Sequence, residues 1–183
     1  MQTMKELQAK SNAPKLLMTR MVLGRIRAFI KAAPYGLETS VALFGTRING
    51  YRVALFAVGP GPKAINEPSF HQPDEDHLNR TFTDLLEGWP QLEWIGSLHV
   101  HPAGMHWLSQ HDRRTVRALL SECALPDFTA GIVQRIGSFI KIFPYFLSDA
   151  QPDPCKMRLV VVPATDESVR RARSLARGEV DAP

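Results

Sequence analysis

The stretch Gly96-Ser97-Leu98-His99-Val100-His101-Pro102-Ala103-Gly104-Met105-His106-Trp107-Leu108-Ser109-Gln110-His111-Asp112 decides how this chain is read. It holds four of the six histidines, two of them one residue apart. The apolar run Leu92-Glu93-Trp94-Ile95-Gly96-Ser97-Leu98 just before it predicts a short buried strand. Alternate residues of a strand share a face, so His99 and His101 present two imidazoles side by side. Pro102 and Gly104 stop the strand. Residues 109–121 then read as a helix, with Val116, Leu119 and Leu120 on one side and Arg113, Arg114 and Arg117 on another. Asp112 falls in the first turn of that helix. Two imidazoles and a carboxylate at a strand-to-helix junction are a three-ligand set for a catalytic zinc, with the fourth position left for water.

Each piece has a plainer explanation. One histidine at a strand end is most often a satisfied polar residue. Ser109-x-x-Asp112 reads equally as a helix cap with an acid in the first turn. The spacing of the whole set is what sets those explanations aside.

His99-Val100-His101, seven residues, then Ser109-Gln110-His111-Asp112, with Pro102 directly after the second histidine, resembles the signature of the JAMM (JAB, MPN+) zinc metalloproteases. That family also carries a glutamate well upstream in a strand context, and Gly36-Leu37-Glu38-Thr39-Ser40-Val41 supplies Glu38. The resemblance spans roughly residues 15–163. It implies His99, His101 and Asp112 as ligands of one zinc ion per chain, with Glu38 carrying protons. Ser109 would donate its hydroxyl to the oxyanion of the tetrahedral intermediate. The fold it implies is α/β (α+β): a single JAB/MPN domain, cytidine-deaminase-like, with a mixed central sheet flanked by helices.

Length and composition agree. A chain of 183 residues, 44% apolar and 22% charged, has the size and balance of one globular domain. No apolar run approaches the roughly 20 residues of a membrane span. Met1 to Lys15 lacks a signal-peptide core, so a cytoplasmic location is expected. Cys123 and Cys155 form neither a C-x-x-C pair nor a disulfide framework. The net charge of +4 is modest; Arg170, Arg171, Arg173 and Arg177 are offset by nearby acids and lack interleaved aromatics. Neither a nucleic-acid nor a membrane partner is expected.

In chain order, the reading gives an N-terminal extension over 1–14, the metalloprotease domain over 15–163 and a charged tail over 164–183, either a solvated helix or frayed. Within the domain, residues 15–33 are expected to form one helix despite Gly24, ended by Pro34 and Gly36. Strands follow at 39–44 and 51–58, turning at Asn49-Gly50. Residues 59–73 read as a Pro/Gly-rich loop, and Asp74 caps a helix to about Glu87 whose face is Leu78, Phe82, Leu85 and Leu86. Strands at 128–135 and 138–143 turn at Ile136-Gly137, with Pro144 closing the second. Residues 147–154 read as loop and 158–162 as a last strand.

The resemblance implies an isopeptidase or peptidase cutting after the C-terminal glycine of a ubiquitin-like protein, in precursors and in conjugates. Phe70, His106 and Trp107 are candidate substrate contacts; His71 and His77 read as surface residues. Compact bacterial members of the family accompany activating and conjugating (E1- and E2-like) proteins in antiphage operons of the Bil and CBASS type, and those proteins are candidate partners. Processing of a sulfur-carrier protein is one alternative, and a non-catalytic MPN scaffold that binds a partner is another.

Overall fold

The computed structural model describes residues 14–48, 50–101 and 104–179. Asn49, Pro102 and the extension before Pro14 lie outside them. One eight-stranded mixed sheet dominates, in the order β10-β1-β3-β2-β6-β7-β8-β9. Its strands are β1 (Lys15–Thr19), β2 (Ser40–Ile48), β3 (Tyr51–Val58), β6 (Glu93–Val100), β7 (Phe128–Ile136), β8 (Phe139–Ser148), β9 (Gln151–Lys156) and β10 (Arg158–Val162). A separate two-stranded hairpin pairs β4 (Ile65–Glu67) with β5 (Phe70–Gln72). Four helices occur among the described residues: α1 (Arg20–Ala32), α2 (Glu75–Gly88), α3 (Gln110–Glu122) and α4 (Glu167–Ala176). The expected α+β class with a mixed central sheet is present as one domain. None of the described helices is long and apolar enough to cross a membrane.

The sheet has two differently covered faces. On one, α1 lays Val22, Ile26 and Ile30 over Leu16, Met18, Val41, Leu43, Ile95 and Leu98. Those helix positions recur at i, i+4 and i+8, one stripe of a 3.6-residue period. On the other face α2 and α4 cover Ala42, Phe44, Val53 and Leu55. There α3 covers Phe128, Ala130 and Ile132 with Val116 and Leu120. Strand β6 pairs antiparallel with β2 and parallel with β7, and α3 makes the crossover between β6 and β7. The start of α3 therefore lies beyond the C-terminal end of β6, a central strand, and open α/β sheets hold their ligands outside the carboxyl ends of their strands.

Five expectations are corrected. Residues 15–19 are a strand, not the first turn of a helix: β1 runs parallel to both β10 and β3, and a strand buried between two neighbours is apolar throughout. Thr19 marks the switch, its side chain accepting from the Val22 N–H at 3.3 Å as the cap of α1. Residues 65–72 form a hairpin inside the segment expected to be loop. Strand β8 runs through Pro144, whose carbonyl accepts from Met157 on the side away from β7. Pairing with β9 starts at Tyr145, so the missing N–H costs no ladder bond. Residues 151–156 form the edge strand β9, the position that tolerates its prolines. The tail helix α4 is docked, burying Val169, Ala172, Leu175 and Ala176 against the sheet.

Candidate metal centre

Strand β6 delivers His99, and His101 follows one residue beyond its end; both are buried. Alternation puts them on the face covered by α2 and α3. Asp112 comes from the first turn of α3. The three side chains converge: His99 Nε2 lies 2.8 Å from His101 Nε2, Asp112 Oδ1 is 3.2 Å from His99 Nε2, and Oδ2 is 3.4 Å from His101 Nε2. These three ligand atoms could hold a metal ion. Zinc–ligand lengths of about 2.0–2.2 Å at tetrahedral angles would set ligand atoms about 3.3–3.5 Å apart, close to the two longer edges of this triangle. With Nε2 deprotonated on both rings, the two imidazoles and the carboxylate would form a set of convergent acceptors for a cation. Burial alone would raise the Asp112 carboxyl, but hydrogen bonds with His101 and His99 outweigh it and hold the carboxyl far below the usual range. His101 Nδ1 is buried with no hydrogen-bond partner among the described residues.

Asp112 has a second task. Its Oδ2 accepts the Ser109 backbone N–H at 2.7 Å, while Ser109 Oγ accepts the Asp112 N–H at 3.1 Å. This reciprocal box caps α3. The cap explanation and the ligand explanation of Ser109-x-x-Asp112 thus hold together, since one carboxylate can bond the helix end through one oxygen and face the imidazoles with both. The Ser109 hydroxyl also bonds the Asp112 carboxylate and helps keep it ionised.

Glu38 sits just before β2. Ser40 pairs with His99, and the Val100 N–H donates to the Thr39 carbonyl at 2.9 Å. Continuing that register sets Glu38 opposite His101, where cross-strand neighbours share a face. Burial raises the Glu38 carboxyl above its ordinary value, against a lowering influence from His101 and His99. The Glu38 backbone N–H donates to the Glu67 carbonyl at 2.8 Å, which ties the β4–β5 hairpin to this point.

That hairpin brings in a residue the sequence reading assigned to the surface. His71 Nδ1 lies 3.4 Å from Glu38 Oε2, and its ring stacks on that of His99 with centroids 5.2 Å apart and planes 24° off parallel. Burial and then the neighbouring His99 lower the His71 imidazole to about pH 4, so it is neutral at pH 7. No sequence signal marks it, because strands of three residues are too short for alternation to be read. His77 stays apart; its backbone N–H is taken by the Asp74 side chain that caps α2.

A cleft of about 640 Å³ opens between α2 and α3 with Glu38, His71, His99 and Asp112 along one side. Its other walls are largely apolar, including Phe44, Leu78, Phe82 and Trp94, with Phe70 on the rim. His111 also faces it, from the exposed side of α3. His106 and Trp107 do not line this cleft; their rings meet edge to face, and His106 also lies against Phe143. A smaller recess of about 230 Å³ lies beside His101, bounded by Tyr35, Gln134 and Arg135.

No family model and no curated protein matches the sequence. Among solved structures the chain is similar to the solution structure of protein DSY2949 from Desulfitobacterium hafniense. The TM-score is 0.61, at 14% identity, over 81% of this chain and 93% of that one. The two chains share a fold across nearly all of DSY2949, and at that identity the likeness extends to the fold alone.

Proposed function

We propose that the protein is a zinc-dependent peptidase of the JAMM type, with a JAB/MPN domain, that hydrolyses the amide or isopeptide bond after the C-terminal glycine of a ubiquitin-like protein. The observation that carries the reading is the convergence of His99, His101 and Asp112 with the Glu38 carboxylate on the same sheet face, beside an open cleft. Zinc held by those three side chains would supply a Lewis acid and bring the ionisation of water to near neutral pH. Glu38, with its carboxyl raised by burial, takes the proton of the attacking water and returns it to the leaving amine. The products are a free carboxylate and an amine. Ser109 can reach the oxyanion role only by turning its hydroxyl away from Asp112, exchanging one hydrogen bond for another.

The apolar cleft supports the substrate class. Its walls, which include Phe70, Phe82 and Leu119, offer apolar contacts to an extended tail. Backbone must come close to the reacting centre, and glycine approaches without a side chain in the way. Ubiquitin-like precursors and conjugates of a bacterial conjugation system, with its E1- and E2-like proteins as partners, are the first candidates; a sulfur-carrier protein is the second.

The test is a panel of ubiquitin-like and sulfur-carrier proteins, each fused through its tail to a reporter. Cleavage directly after the terminal glycine is expected, stopped by a chelator, restored by zinc and absent in Glu38→Gln. Equal cleavage of unstructured peptides without a folded body would refute the substrate class. Full activity of Glu38→Gln would refute the proton carrier.

A further inference from the structure

We infer that His71 is a positioning residue for this hydrolysis: from a hairpin outside the main sheet it aims the Glu38 carboxylate and braces the ring of His99. The inference rests on the reading of Glu38 as the proton carrier.

Glu38 needs such a partner. It lies ahead of β2, outside the strand ladder, and its side chain has three rotatable bonds. An ionised carboxylate only accepts, so at the contact with Oε2 the His71 Nδ1 must carry the hydrogen. That fixes one carboxylate oxygen and leaves the other for the proton in transit. The same imidazole lies nearly parallel to the His99 ring, so one side chain touches both the proton carrier and a ligand. Groups that hold ligands from behind govern ring orientation, and losing one costs about 10- to 100-fold in metal affinity or activity.

The hairpin is built to deliver this contact. Its strands are only three residues each, too short to persist alone. Pairing sets Asn66 opposite His71 and Glu67 opposite Phe70, and Glu67 receives the Glu38 N–H. Glu38 is thus held to the hairpin twice, once by backbone and once by the His71 ring. A purely structural role would make His71 a plug that keeps the hairpin against the sheet. The two roles part on which property of the ring matters.

His71→Phe keeps a ring to stack and removes the donor; His71→Asn keeps a donor near the Nδ1 position and removes the ring. On the cleavable fusion, His71→Phe is expected to lower kcat about 10- to 100-fold, with KM within about twofold and zinc content unchanged. His71→Asn should recover part of that loss, because it restores the donor to Glu38 but not the stack on His99. Independently of catalysis, nitrogen NMR of the zinc-free protein should find the His71 hydrogen on Nδ1, and Glu38→Ala should abolish that preference. A His71→Phe enzyme within twofold of the parent, His71→Asn no better than His71→Phe, or the hydrogen on Nε2 in the parent would overturn the inference. Glu38→Gln in the same panel separates the two levels. Loss of activity there with His71→Phe unaffected overturns this inference alone, whereas full activity of Glu38→Gln overturns the underlying reading and this inference with it.

Discussion

Ser109 and Asp112 hold each other at the start of α3, each side chain bonded to the other's backbone N–H, at 3.1 and 2.7 Å. The helix end and the candidate ligand are therefore one mechanical unit. Ser109→Ala removes the cap bond and should lower global stability by about 1 kcal/mol. If Ser109 also serves the oxyanion, kcat should fall by about 10²–10³ while zinc is retained. Denaturant unfolding measures the first effect, and kcat beside zinc content the second. A kcat that drops only in proportion to lost zinc would leave Ser109 as a cap alone.

Much of this arrangement was legible because chemistry constrains residue type more tightly than packing does. His99, His101 and Asp112 could be read from spacing, since a strand end followed by a helix start leaves few ways to place them. Lys15 to Thr19 could not. An apolar run leading straight into an amphipathic helix looks continuous, and only the flanking strands β3 and β10 make it a strand. The docking of α4, expected as a solvated helix or a frayed tail, was hidden for a different reason: two of its four buried positions are Ala172 and Ala176, which carry little hydrophobic signal amid the arginines. His71 depended on a hairpin of three-residue strands, below the length at which alternation is informative.

The candidate ligand triad predicts a metal-linked stability. Zinc that binds the folded state alone should stabilise the parent by about 2.7 kcal/mol at a hundredfold excess over Kd. His99→Ala, His101→Ala and Asp112→Ala should each lose most of that increment together with zinc content. Thermal unfolding with and without zinc, paired with metal analysis, provides the check. Equal zinc-dependent shifts in all three variants would mean that the ion sits elsewhere.

At the opposite end of β6, stability rests on a different carboxylate. Asp127 accepts two hydrogen bonds from Arg52, at 2.7 and 2.6 Å, and a third from Arg47 at 3.2 Å. Arg47 also pairs with Glu93 at 2.7 Å. Replacing Asp127 by Ala leaves two largely buried guanidinium groups without that partner and should cost about 3–5 kcal/mol of unfolding free energy. Zinc affinity of the folded protein should not change, because the network is remote from the triad. A loss under 1 kcal/mol in urea unfolding would show that water or Glu93 replaces the missing charge.

The cleft gives the last prediction. Phe70 stands on its rim, 43% exposed, at the end of the hairpin that reaches the site through His71. An exposed phenyl beside an apolar groove gains by covering a substrate tail, and truncating an interface aromatic costs about 1 kcal/mol or more. Half of the ring is already buried in the free protein, so the gain on binding lies at the low end of that range. Phe70→Ala should therefore raise KM for a ubiquitin-like fusion about 5- to 10-fold. Its kcat should stay within about twofold, because tail contacts made equally in ground and transition states do not alter the chemical step. The effect should fade on a short peptide that ends before the cleft's apolar wall. Steady-state kinetics on both substrates decides it: a kcat defect with unchanged KM would move Phe70 from substrate binding to support of the hairpin and of His71.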